Sequence, residues 1–207
     1  MTRQHPLIVG LGGTLREKSY SRAALREALR IAATHGVHTE LLDLRKLNLP
    51  MYIPDAGIAD YPVEYRADIE RLIEVTRRAD AMIWSSATYH GTMTGVLKNA
   101  LDFIELLSED RPPYLADKAV GLIALSDPVT FVSMQNAASE LRAWVAPTQV
   151  TLSKHNDFND DMTLKDGRGL RRVTRLIHEL IEFTEHYSAR RGMRMHHVHS
   201  LPSVSGE

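Results

Sequence analysis

The chain has 207 residues, 43% hydrophobic, with 25 Lys and Arg against 26 Asp and Glu, a net charge of −1 and no cysteine. That size and apolar content suit one packed domain with a tail, the balanced charge argues against a nucleic-acid partner, and the missing cysteine excludes disulfides, thiol catalysis and cysteine-held metals. The start, Met1-Thr2-Arg3-Gln4-His5-Pro6, has no apolar signal core and no run suits a bilayer span, so no membrane association and a cytoplasmic location are expected.

Leu7–Gly10 reads as a buried strand, and Gly12-Gly13-Thr14-Leu15-Arg16-Glu17-Lys18-Ser19-Tyr20-Ser21-Arg22 follows it directly. A phosphate cradle needs glycines for close backbone approach, short hydroxyls as donors and a helix N-terminus with free N–H groups. Gly12 and Gly13 meet the first need, Thr14, Ser19 and Ser21 the second, and the helix predicted over Ser21–Thr34 the third. Arg16 adds a forked cation suited to phosphate. Gly10-x-Gly12-x-x-Leu15 lacks the last glycine of a dinucleotide fingerprint, and there is no G-x-x-x-x-G-K-[ST] loop. An ordinary strand–turn–helix with a serine cap is the competing reading.

His35-Gly36 closes that helix, and His38–Leu44 alternates as a strand. Leu47 to Pro62, rich in Pro, Gly and Asp, reads as a surface loop, and Val63–Arg78 as an amphipathic helix. Ala81–Ser86 is the third strand, ending near Trp84, a core or interface residue. Behind it comes Ala87-Thr88-Tyr89-His90-Gly91-Thr92-Met93-Thr94-Gly95. Tyr89, His90, Gly91 and Thr92 offer amides and polar groups to the edge of a flat ring, with Tyr89 and Met93 as its wall. One loop for a phosphate and one for a flat ring point to a mononucleotide such as FMN.

A helix is predicted over Gly95–Leu107, with Lys98 and Asp102 as an i,i+4 pair; Lys98, Asn99 and Asp102 read as structural, and no catalytic residue is assigned. The apolar face of this helix, extended by Ile104 and Leu107, is a candidate for pairing with a twin chain. Ala119–Leu125 is the fourth strand, Phe131–Val145 a helix carrying Trp144, Thr148–Leu152 the fifth strand and Gly169–Ala189 a long last helix. Residues 1–190 then form the domain, and residues 191–207 a flexible tail. Strands separated by helices imply right-handed crossovers and a parallel sheet covered on both faces. The rhythm fits a flavodoxin-like three-layer α/β/α sandwich with a five-stranded parallel sheet in the order 2-1-3-4-5. Its switch point falls between the first and third strands, the two that the loops follow.

Gly13-Thr14-Leu15-Arg16-x-x-Ser19-Tyr20-Ser21-Arg22 resembles the phosphate loop of the NAD(P)H-dependent FMN reductase family, written G-S-x-R-x-x-S-x-N-R. Tyr89 through Phe103 resembles the family segment E-Y-N-G-S-I-P-G-A-L-K-N-A-I-D-W, with His90 for its Asn and Thr94 for its Pro. Asp43-Leu44-Arg45-Lys46-Leu47-Asn48-Leu49-Pro50 is similar to its D-L-R-x-L-x-L-P link. One departure stands out: the family's Gly-Gly-rich loop after the fourth strand reads Leu125-Ser126-Asp127-Pro128-Val129-Thr130 here. The resemblance implies Thr14, Arg16, Ser19 and Ser21 on the FMN phosphate and Tyr89, His90, Gly91 and Thr92 near the ring, with Ser126 beside them.

It also implies hydride transfer from NADPH or NADH to the flavin, which needs stacked rings rather than a dedicated acid or base. Reduced flavin then serves a flavin-dependent monooxygenase, or stays bound and reduces a quinone, azo dye or metal oxyanion. Family habit implies a homodimer or homotetramer. A non-enzymatic flavodoxin-like electron carrier and a flavin-free interaction module are the rival classes. Arg16 and Arg111 are the candidates for a 2′-phosphate on the donor. His196-His197-Val198-His199 reads as solvated tail rather than metal site, and His178-Glu179-Leu180-Ile181-Glu182 is not H-E-x-x-H.

Overall fold

Five apolar runs become five strands: β1 (Leu7–Gly12), β2 (His38–Asp43), β3 (Ala81–Ala87), β4 (Ala119–Leu125) and β5 (Trp144–Leu152). In this computed structural model, which describes residues 5–198 and side chains through residue 187, they pair in parallel in the order β2-β1-β3-β4-β5. This is the topology expected from the strand–helix rhythm. Every residue of β4 is buried, as a central parallel strand requires, whereas the edge strands β2 and β5 are partly exposed.

The helices are α1 (Tyr20–Thr34), α2 (Val63–Arg78), α3 (Gly95–Asp102), α4 (Thr130–Glu140), the single turn α5 (Lys154–Asp157) and α6 (Arg168–Val198). Their apolar stripes close two cores, one on each face of the sheet. Trp84, Leu122, Leu97 and Phe103 belong to the core under α2, α3 and α4; Ile83, Leu25 and Leu176 belong to the one under α1 and α6. Trp84 is therefore a core residue.

Three details differ from the sequence reading. The helix starting at Gly95 stops at Asp102 and continues as a 3-10 turn over Phe103–Leu107. Its Leu97, Leu101, Ile104 and Leu107 are buried within the chain itself, so this face is not available to a twin chain. Trp144 is not helical: α4 ends at Glu140, Arg142 turns the chain at φ +62°, and Trp144 opens β5 with 60% of its surface exposed. A left-handed turn is usually announced by glycine, which is absent here, and β5 carries Pro147 within it. An edge strand tolerates a proline, and the β4–β5 register shifts beside it. Finally, α6 is helical past Ala189 to Val198, so the tail expected over residues 191–207 falls partly on helix and then on residues outside those described, His199 among them.

Glu179 ties α6 to β5. Its carboxylate accepts hydrogen bonds from the Thr148 amide at 2.8 Å and hydroxyl at 2.6 Å, and pairs with Arg175 at 3.2 Å. Burial pushes its pKa up, but the Thr148 hydrogen bonds and Arg175 outweigh that and hold it below the usual carboxylate value. A lowered folded-state pKa stabilises above the unfolded value and loses that contribution as pH falls through the folded one. Glu179→Gln is accordingly expected to lower stability at neutral pH by about 1 kcal/mol. In melting curves across pH, that gap should narrow as pH falls below the ordinary carboxylate range and close in strong acid; a gap that persists there contradicts the assignment.

Candidate functional site

The turn after β1 is shaped by contact with β3. Gly12 takes φ +145°, and the Gly13 amide donates to the Ser85 carbonyl at 3.1 Å. Ser19 is the N-cap of α1. Its Oγ accepts from the Thr14 amide at 3.2 Å and the Arg22 amide at 3.3 Å, and lies 3.0 Å from the Ser21 hydroxyl. One serine thus closes the loop on itself while leaving the helix N-terminus, with its partial positive charge, at the rim.

A cavity of about 170 Å³ sits over this turn, lined by Thr14, Arg16, Ser19, Ser21, Tyr89 and Ser126, six of the nine residues expected at the site. Lys18 and Lys154 join them, so three cations and no carboxylate face it. The sequence reading did not assign Lys154. Its signal was its place just after the fifth strand, the end of the sheet where ligands bind; its ammonium lies 5.5 Å over the Tyr20 ring. Ser126 follows β4 with φ +81°, and its amide donates to the Leu152 carbonyl at 2.8 Å. The left-handed bend that a glycine-rich loop would supply is present here at a serine, with strain of order 1 kcal/mol.

The second loop is a tight turn. Tyr89 and Thr92 exchange backbone hydrogen bonds at 3.0 and 3.2 Å, with His90 at φ +52° and Gly91 at φ +79°. The amides of Tyr89 and Thr92 are therefore used inside the turn, and those of His90 and Gly91 are its remaining donors. Below it, Thr94 caps α3 and its amide donates to Ser86 Oγ at 2.9 Å. Thr88 Oγ1 bonds the Leu125 carbonyl at 3.0 Å and Thr130 Oγ1 at 2.6 Å, which ties this turn to the loop after β4.

A larger cavity, about 1140 Å³, opens on the far side of Tyr89 and includes Tyr89, His90, Thr92 and Met93 in its lining. Gly91 sits at the tip of the turn, outside both linings. Tyr52, from the long loop after β2, forms another wall; Asn99 fixes it by accepting from the Tyr52 amide at 2.9 Å and donating to the Pro50 carbonyl at 2.8 Å. Burial, then Glu105 and other nearby acids, raise the Tyr52 pKa, so its hydroxyl stays protonated at neutral pH. Asp55, Asp102, Glu105 and Glu140 face this cavity against Lys98, which pairs with Asp102. That pair is at the surface and contributes a few tenths of a kcal/mol, the structural role expected of it.

Arg111 lies outside both linings, its guanidinium donating to the carbonyls of Glu109 and Asp110 at 3.1 and 3.0 Å. His178 Nε2 lies 3.2 Å from His35 Nε2. Among the described residues no group of three His, Cys, Asp or Glu side chains is placed to hold a metal ion, and no helix is long and apolar enough to cross a membrane.

The sheet order and the turns at its switch point define the flavodoxin-like class of α/β proteins. The chain belongs to the NADPH-dependent FMN reductase family, whose model matches residues 6–157. It is 30% identical over 188 residues to the NADPH-dependent FMN reductase ArsH of Acidithiobacillus ferrooxidans, covering 88% of this chain and 75% of that one. It is 27% identical over 182 residues to the FMN-dependent NADPH-azoreductase of Staphylococcus aureus, with coverage of 83% and 91%. The structure of RosB with a bound riboflavin-phosphate intermediate superposes with a TM-score of 0.68 at 13% identity, covering 98% of this chain and 90% of that one, a likeness of fold. The expected family, an oxidoreductase working with FMN and a nicotinamide donor, is borne out.

Proposed function

We propose that this chain holds the phosphate of FMN in the small cationic cavity and its ring against the Tyr89–Thr92 turn, and uses NAD(P)H to reduce it. The observation that carries this reading is the position of Tyr89, which lines both cavities. A pocket with three cations and no carboxylate, joined through one aromatic side chain to a roomy second pocket, suits a phosphate linked to a flat ring. Bound FMN supplies the redox chemistry. The chain's own tasks are then to hold the phosphate with Thr14, Arg16, Ser19 and Ser21, and to meet the ring edge with the amides of His90 and Gly91. The larger cavity receives donor and acceptor in turn.

The four carboxylates in that cavity favour a neutral acceptor, such as a quinone, over a metal oxyanion. The same reading has reduced flavin passing to a flavin-dependent monooxygenase or directly to such an acceptor, in the cytoplasm. It also has two copies of the chain pairing; Val129 and Val132, 42% and 59% exposed at the start of α4, offer apolar surface for that. The test is consumption of NADH and of NADPH by the purified chain, with and without FMN and with an added quinone. Oxidation that depends on FMN and accelerates with the quinone is expected; no oxidation in the presence of FMN contradicts the reading.

A further inference from the structure

Arg22 belongs to the phosphate loop by sequence, yet it does not line the cavity. Its side chain is 7% exposed and lies under the loop. There Nη1 donates to the Thr14 carbonyl at 3.5 Å, and Nη2 donates to the Arg16 carbonyl at 3.2 Å and to the Glu17 carbonyl. Nη1 also pairs with Asp43, itself 6% exposed at the end of β2, at 3.5 Å. Asp43 in turn accepts from the Arg45 amide at 3.1 Å.

A peptide unit is planar and trans, so a carbonyl and the amide that follows it point in opposite directions. Drawing three loop carbonyls down onto one buried guanidinium turns the amides of Leu15, Glu17 and Lys18 away from it; of the three residues, Lys18 lines the cavity. A buried ion pair is a poor stabiliser in its own right, because desolvation offsets its attraction. Its use here is geometric: a planar fork serves three carbonyls and a carboxylate at once, which a single ammonium cannot.

We propose that Arg22, held by Asp43, is a positioning residue for anion binding, shaping the loop so that its amides are presented to the phosphate of the bound nucleotide. This rests on the FMN reading above and adds a determinant that never touches the ligand. The test is titration of FMN and of riboflavin, the same ring without the phosphate, into the wild-type chain, Arg22→Lys and Asp43→Asn.

The wild type should bind FMN more tightly than riboflavin. Arg22→Lys should weaken FMN about tenfold, the scale of one charge-assisted hydrogen bond, while riboflavin changes by less than about twofold. Asp43→Asn should give a smaller loss with the same selectivity; should Arg22→Lys fail to fold, this variant decides the matter alone. FMN affinity unchanged, or lost in parallel with riboflavin, overturns the positioning role. Equal wild-type affinities for the two ligands overturn the phosphate reading itself, and the role of Arg22 with it.

Discussion

Gly12→Ala is expected to melt far below the wild type or not to fold at all, a loss of about 3 kcal/mol or more. Gly12 leaves no room for a side chain against β3: it pairs with Ser85 in the sheet, and a Cβ there would overlap the Ser85 carbonyl oxygen. That oxygen accepts from the Gly13 amide and so cannot move away without opening the turn. The backbone at Gly12, φ +145°, is also a conformation that a side chain strains. Both costs fall on the same residue, at the end of β1 where the turn begins. Thermal unfolding measures the effect, and a variant that melts like the wild type contradicts the close approach described here.

Arg16→Ala is expected to fold normally and to weaken FMN binding by about 1.5–3 kcal/mol, the range for a hydrogen bond to a charged group. The Arg16 side chain is exposed at the cavity edge, while its backbone does the structural work: the amide donates to Thr14 Oγ1 at 3.3 Å and the carbonyl accepts from Arg22. Removing the guanidinium leaves both in place. The loss should shrink as salt rises, because the interaction is a partly exposed charge pair. Titration of FMN at two ionic strengths checks this; unchanged affinity means that the phosphate lies elsewhere.

Arg16 and Arg22 also mark what the sequence made legible. Local pattern carried the sheet order and both turns, because each turn is written in consecutive residues: glycines where the backbone must bend, hydroxyls beside a helix start. Arg22 stood in the same stretch, but its role depends on Asp43 at the end of another strand, and no local pattern announces that meeting. Lys154 and Tyr52 reach the two cavities the same way, from segments far along the chain.

The misplaced boundary between α4 and β5 has a different cause. Arg142 and Ser126 adopt left-handed conformations without being glycine, so the residues that usually flag such turns are missing. At Ser126 the consequence reaches the site, since the bend survives where the expected glycines do not. The apolar face of α3 was legible as apolar, but not as already covered by its own chain.

A crystal structure of the chain with FMN tests the central claim most directly. The phosphate is expected among Thr14, Ser19 and Ser21, with Arg16 over it and the ring lying along Tyr89, His90, Gly91 and Thr92. Density for the nucleotide at any other place, or none between the two turns at saturating FMN, would contradict it.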